Sequence, residues 1–289
     1  MTILVTGATG SVGSQIVDQL AARGAKVRTL VRDPAKARFP TGVEVAKGDL
    51  MDVDSVRAAM KGVRTLFLLN AVVPDEFTQA LIALNLAREA GIERIVYLSV
   101  IHSDLYVNVP HFAGKHAVER MIEQMNLPAT ILRPAYFIDN DASLKDALTG
   151  PGIYPMPIGS KGLAMVATSD IAEVAAIELL RRDAADTPLP IDRIELVGPD
   201  LITETLVATI WSEALGRPIH YAGNDTAAFE RALKARMPAW AAYDMRIMAD
   251  RFQTEGMLPD EGAVERLVGI LGRPLRSYRD FARKMAAGW

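Results

Sequence analysis

Cysteine is absent from the 289-residue chain, which excludes disulfides and thiol chemistry and fits a reducing compartment. Histidine is scarce: His102, His111, His116 and His220 form no H-E-x-x-H or comparable ligand set, so no metal is expected. No G-x-S-x-G elbow occurs, and hydrolase chemistry has no foothold. Long apolar runs are also missing. The most apolar stretch, Leu66 to Val73, is broken by Asn70 and is far too short to span a bilayer. Charge of one sign is not in excess: 32 basic against 35 acidic side chains leave a net −3, too balanced for nucleic acid or an anionic membrane as main partner. There is no internal repeat and no low-complexity tract. Met1 leads straight into an apolar strand, leaving no room for a signal or transit peptide, so the expected compartment is the cytoplasm.

Half of the residues are hydrophobic, enough to bury a sizeable core and to argue against disorder. The length suits one large α/β domain or a domain with a smaller lobe. The stretch from Met1 to Asp33 organises the rest. Thr2-Ile3-Leu4-Val5-Thr6 is a short strand, followed by Gly7-Ala8-Thr9-Gly10-Ser11-Val12-Gly13 and by a helix with Val12, Ile16, Val17, Leu20 and Ala21 on one face. Gly24 closes that helix, and Lys26 to Val31 is a second strand. Strand, glycine turn, helix, strand is the context in which a glycine fingerprint predicts a dinucleotide site. The chain must turn sharply, its backbone must touch a pyrophosphate, and the helix N-terminus offers amides and a positive dipole end. The first gap of Gly7-x-x-Gly10-x-x-Gly13 is one residue longer than in the usual pattern.

Further strands are expected at Val43–Val45, Thr65–Leu69, Arg94–Ser99 and Ala129–Leu132, the last ended by Arg133-Pro134. Helices are expected at Asp52–Met60 (Val53, Val56 and Met60 inward), Glu76–Ala90 and Phe112–Gln124, with a short one after Pro34. This alternation predicts an α/β fold with a doubly wound parallel sheet over roughly the first 135 residues. Beyond Pro134 the rhythm changes. A breaker-rich loop spans 149–157, and a helix from Ser169 carries Asp170 and Glu173 at capping-box spacing. Arg193–Val197 reads as a late strand, and the pattern is mostly helical from Thr203. The expected organisation is a nucleotide-binding domain at 1–150 and a smaller, mostly helical substrate lobe at 151–289, with 165–200 rejoining the sheet.

Thr6 to Gly13 resembles the opening of the atypical short-chain dehydrogenase/reductases of the NmrA-like family. Similarity continues through Lys115 with Val118-Glu119, Leu127 to Pro134, and Phe137 to Asn140. It returns at Ser169-Asp170-Ile171-Ala172 and at Leu271-Gly272-Arg273-Pro274 followed by Phe281. The resemblance implies a Rossmann fold that binds NAD(P), with Gly7, Thr9, Gly10, Ser11, Val12 and Gly13 around the phosphates. It also implies that Asp49-Leu50 lie against the adenine, and that Lys115 acts beside the nicotinamide ribose.

Arg32 stands about 20 residues past the turn, where an acid would bind the ribose hydroxyls of NAD. An arginine there suits a 2′-phosphate, so NADP(H) is preferred, with Lys36 one turn on as a helper and Asp33 keeping NAD(H) open. Leu69-Asn70 end the fourth strand, near the course of the ribose and nicotinamide. Many short-chain dehydrogenases carry Tyr-x-x-x-Lys; here the two positions are His111 and Lys115, on one face of a helix, so the tyrosine is missing. His111 can relay protons, because imidazole titrates near neutral pH, or it can simply start the helix; Tyr106, in the preceding loop, is another candidate donor. Tyr136, Phe137 and Asn140 are expected to face the substrate. These features read as an NADPH-dependent reductase of a small carbonyl, quinone or conjugated acceptor; the alternative is a non-catalytic NAD(P) sensor acting through a protein partner. Sugar-nucleotide epimerisation is disfavoured, since it leans on the absent tyrosine. The partner is a small molecule rather than nucleic acid or membrane, and a homodimer is allowed.

Overall fold

Alternating apolar strands and amphipathic helices must bury their apolar faces against one another, and stacking helices on both faces of a parallel sheet achieves this. The computed structural model describes residues 1–289. In chain order the elements are β1 (Thr2–Val5), α1 (Ser11–Ala22), β2 (Lys26–Val31), β3 (Glu44–Lys47), α2 (Val53–Ala59), β4 (Val63–Leu68), α3 (Glu76–Glu89) and β5 (Ile95–Leu98). Next come α4 (Pro110–Gln124), β6 (Ala129–Pro134), α5 (Lys145–Thr149), β7 (Ile153–Tyr154), α6 (Thr168–Ala184) and β8 (Asp192–Leu196). The remainder is α7 (Glu204–Leu215), β9 (His220–Tyr221), α8 (Thr226–Leu233), α9 (Ala239–Thr254), α10 (Ala263–Leu271) and α11 (Tyr278–Gly288). None of the helices is long and apolar enough to cross a membrane.

The chain forms two compact units that interleave in sequence. The first comprises Met1–Val100, Gly114–Arg133 and Ser169–Ile194; the second comprises Ile101–Ala113, Pro134–Thr168 and Glu195–Trp289. The large sheet has seven strands in the order β3-β2-β1-β4-β5-β6-β8. Its pairs β1–β2, β1–β4, β2–β3, β4–β5 and β5–β6 are parallel. This is a doubly wound, Rossmann-like sheet. Ile3, Leu4 and Val5 of β1 and Leu66, Phe67 and Leu68 of β4 are fully buried, as a strand covered on both faces requires, whereas the edge strand β3 is largely exposed.

Three local expectations change. Val53, expected inward, is exposed because the Asp52 side chain caps α2 by accepting from the amides of Asp54 and Ser55, which starts the helix at Val53 and leaves Val56 and Ala59 to carry its buried face. Strand β6 continues through Arg133 and Pro134 instead of ending at Leu132; the Arg133 guanidinium is held by Glu119 (Nη2 to Oε2 2.5 Å). Helix α4 starts at Pro110 rather than Phe112, since a proline in the first turn forfeits no hydrogen bond. The late strand near 193–197 does rejoin the sheet, as β8 beside β6. Its approach is fixed by the fully buried Arg182 of α6, whose guanidinium donates to Thr130 Oγ1 (2.7 Å) in β6 and to the carbonyls of Leu189 (3.0 Å) and Pro190 (2.8 Å).

Within the second unit, the buried Asp141 carboxylate accepts from the hydroxyls of Tyr154 (2.9 Å), Tyr136 (3.5 Å) and Tyr278. Trp211 Nε1 donates to the Tyr278 hydroxyl (2.8 Å), and the Trp289 ring stacks on Trp211 at 5.1 Å. Burial lifts the Asp141 carboxyl from its ordinary 3.8 to about 6, against the opposing pull of the three tyrosine hydroxyls. A raised folded-state value means that this carboxyl contributes most stability at low pH and loses it as pH rises through about 6. Relative to Asp141→Asn, the unmodified protein should lose roughly 2 kcal/mol of unfolding free energy between about pH 4.5 and about pH 7.5. Urea melts of both proteins at the two pH values measure this difference; a pH-independent gap would refute the assignment.

Candidate functional site

The glycine turn is built as its chemistry requires. Gly7 adopts φ +62°, a conformation L residues rarely take, and a side chain there would meet Leu69 Cγ at 2.8 Å. A Cβ on Gly13 would collide with the Gly7 carbonyl, so this glycine lets α1 pack directly on the turn. Gly10 differs. It has ordinary extended backbone (φ −82°, ψ 172°), is exposed, and a Cβ there would approach only Gly7 O, at 3.3 Å. Gly10 is also the N-cap of α1, and no side chain caps that end. The first amides of a helix lack intrahelical acceptors, so the turn offers outward N–H groups to an anion with no side chain in the way. Thr9 and Ser11 flank it, exposed, while Val12 is buried beneath.

The remaining predicted nucleotide residues follow the C-terminal ends of four adjacent strands. Arg32 follows β2, Asp49 and Leu50 follow β3, Gly7 follows β1, and Leu69 and Asn70 follow β4. Strand order runs from β1 to β2 on one side and to β4 on the other, so the turn sits at the switch point where such sheets bind ligands. Thr6 pins the two central strand ends: its Oγ1 accepts from the Leu69 amide (2.8 Å) and donates to the Leu69 carbonyl (3.0 Å). Arg32 is exposed; Lys36 is exposed too and pairs with Asp33 at 3.4 Å. Asp49 accepts from the Met51 amide (2.9 Å), a turn role that leaves it half-exposed. Asn70 is buried, and its Oδ1 has no hydrogen-bond partner, a costly arrangement without a bound group to satisfy it.

Lys115 is not the solvated helix lysine that composition would favour. It is buried and ion-paired with Glu76 of α3, Nζ to Oε1 at 2.6 Å, with each side chain 9% exposed. Burial, with the carboxylates of Glu76 and Glu119 nearby, pushes the Tyr97 hydroxyl well above its ordinary value. His111 lies in the first turn of α4 and its Nδ1 contacts Asp244 Oδ2 at 2.5 Å. Tyr106 is buried with its hydroxyl donating to the Gly256 carbonyl; burial, chiefly, pushes that hydroxyl up, which suits a structural tie better than a proton donor. Glu76 and Asp244 were invisible as site residues in the sequence: one reads only as a first-turn acid, the other lies unmarked between Tyr243 and Met245.

The three predicted substrate residues have different surroundings. The Tyr136 hydroxyl is turned to Asp141 and its ring packs edge-on to Phe252; burial and Asp141 raise its pKa well above the ordinary value. Phe137 bridges to Val166 and is half-buried, while Asn140 is exposed.

A family model described as "NmrA-like family" matches residues 1–282. The chain belongs to the NmrA-like family. Among its relatives, the NAD(P)H azoreductase of Xenophilus azovorans is 28% identical over 295 residues, covering 99% of each chain. Quinone oxidoreductase 2 of Escherichia coli is 27% identical over 278 residues, covering 94% of each. The crystal structure of an NADPH-dependent quinone oxidoreductase from Escherichia coli complexed with NADPH superposes with a TM-score of 0.87 at 24% identity, over 98% of this chain and 99% of that one. At that identity the likeness establishes that the NmrA-like chain shares the fold.

Proposed function

We propose that this NmrA-like protein is an NADPH-dependent reductase of a small carbonyl, quinone or other conjugated acceptor. The observation that carries the reading is the outward, side-chain-free glycine turn at the sheet's switch point, with Arg32 and Asn70 at neighbouring strand ends. These residues fit the cofactor: amides of 11–13 for the pyrophosphate, since the Gly10 amide already donates to the Gly7 carbonyl (3.0 Å), Arg32 with Lys36 for the 2′-phosphate, Asp49 and Leu50 toward the adenine, and the unpartnered Asn70 Oδ1 for a ribose hydroxyl. When bound, the cofactor supplies a hydride. Lys115, held by Glu76, orients the nicotinamide side, and His111 delivers the proton that the absent tyrosine would have supplied. Tyr136, Phe137 and Asn140 line the acceptor's place, and residues 151–289, apart from 165–200 that rejoin the sheet, form the substrate-binding lobe. Relatives named for azo-compound and quinone reduction support this acceptor class.

The test is oxidation of NADPH by purified protein against a panel of quinones, azo dyes, aldehydes and enones. Turnover with at least one class is expected; silence across the panel with intact NADPH binding would favour a nucleotide sensor. Cofactor choice gives a second measurement. Charge-assisted hydrogen bonds from Arg32 to the 2′-phosphate should contribute roughly 1.5–3 kcal/mol. NADPH should therefore bind more tightly than NADH, and Arg32→Glu should erase or reverse the preference. Equal dissociation constants in fluorescence titrations of the unmodified protein would sink the role of Arg32.

A further inference from the structure

Helix α4 places His111 at its second position, and Asp244 reaches it from α9. Asp244 is fully buried and engages His111 twice: Oδ1 accepts the main-chain N–H (3.2 Å) and Oδ2 lies 2.5 Å from Nδ1. A carboxylate needed only as a helix cap would hold the main chain alone. Here the same group also holds the ring, whose plane is set further by the edge of Phe112 at 4.7 Å. The His111 side chain keeps 11% exposure, and its Nδ1 is taken up by Asp244. Histidine's two nitrogens are distinct, and the hydrogen bond made by one decides which of them carries the exchangeable proton.

We propose that Asp244 is a positioning residue for proton delivery: it retains Nδ1–H on His111 and so assigns the transferable proton to Nε2. This rests on the reductase reading. As a hydride adds to the acceptor's carbon or nitrogen, the electron pair of the reduced bond moves to its oxygen or second nitrogen. That atom takes the proton from Nε2–H of the imidazolium. The neutral ring keeps Nδ1–H on Asp244 and is reprotonated at Nε2 from water. The acceptor gains a hydride and a proton; the dihydronicotinamide is the species oxidised.

Asp244→Asn is the test, because its amide oxygen can still accept the His111 main-chain N–H while its NH₂ faces Nδ1 and forces the opposite tautomer. Histidine-selective ¹⁵N NMR should show neutral His111 protonated at Nδ1 in the unmodified protein and at Nε2 in the variant. Single-turnover acceptor reduction should fall by about tenfold or more at an unchanged NADPH dissociation constant, as loss of a placed general acid predicts. A His111 that carries no Nδ1 proton in the unmodified protein overturns the proposal even if the variant fails to fold. Full-rate reduction by a folded Asp244→Asn overturns it while leaving the reductase reading intact. Absence of turnover in the unmodified protein removes the reductase reading and the proton delivery together.

Discussion

Gly10→Val should yield a folded protein that no longer holds NADPH. Gly10 has ordinary extended backbone, and its added Cβ would press only on the Gly7 carbonyl, at 3.3 Å, which a small adjustment relieves. The branched side chain would instead fill the space in front of the α1 amides, where the pyrophosphate must approach. Losing two charge-assisted hydrogen bonds there should weaken binding by about a hundredfold or more, roughly 2.7 kcal/mol. Gly13→Ala is the contrasting control. Its Cβ would meet Gly7 O and Ala8 Cα, so backbone must move and stability should fall by roughly 1–3 kcal/mol, as overpacking does. Isothermal titration with NADPH beside thermal melts separates the two effects. A folded Gly10→Val with near-normal affinity would show that the phosphate site lies elsewhere.

Lys115→Met should damage the protein twice. Its ammonium is the buried partner of Glu76, so methionine leaves a carboxylate that is only 9% exposed without its counter-charge. Breaking one side of a buried pair in this way typically removes about 3–5 kcal/mol of stability. Joining Glu76→Gln to Lys115→Met removes the stranded charge and should restore most of that loss. Under the proposed role of Lys115 in orienting the nicotinamide ribose, hydride transfer should remain depressed in the double variant by about tenfold or more, roughly 1.4 kcal/mol. Denaturant melts and single-turnover kinetics on both variants read the two effects separately. If the rate returns with the stability, Lys115 is a structural residue and the orienting role falls.

The candidate site is legible in the sequence where its signals are local. The positions of Gly7, Gly10 and Gly13 state three separate demands of one turn, and each is met within a few residues. Arg32, Asp49 and Leu69 could be placed because each closely follows a strand that the apolar pattern marks. Lys115 was legible as a candidate but not its surroundings: Glu76 lies 39 residues away in sequence, and Asp244 lies 133 residues from His111. No periodicity links such pairs.

The sequence by itself determined the succession of strands and helices, the nucleotide turn and the family, since hydrophobic period and turn chemistry act over neighbouring residues. Tertiary structure alone decided where the units divide, grouping Ile101–Ala113 and the stretch from Pro134 with the C-terminal residues rather than with the first hundred. It alone decided which charges meet. Removing a carboxylate from water is tolerable only beside a partner, and for Glu76, Asp244 and Asp141 the folded chain supplies that partner from far along its length.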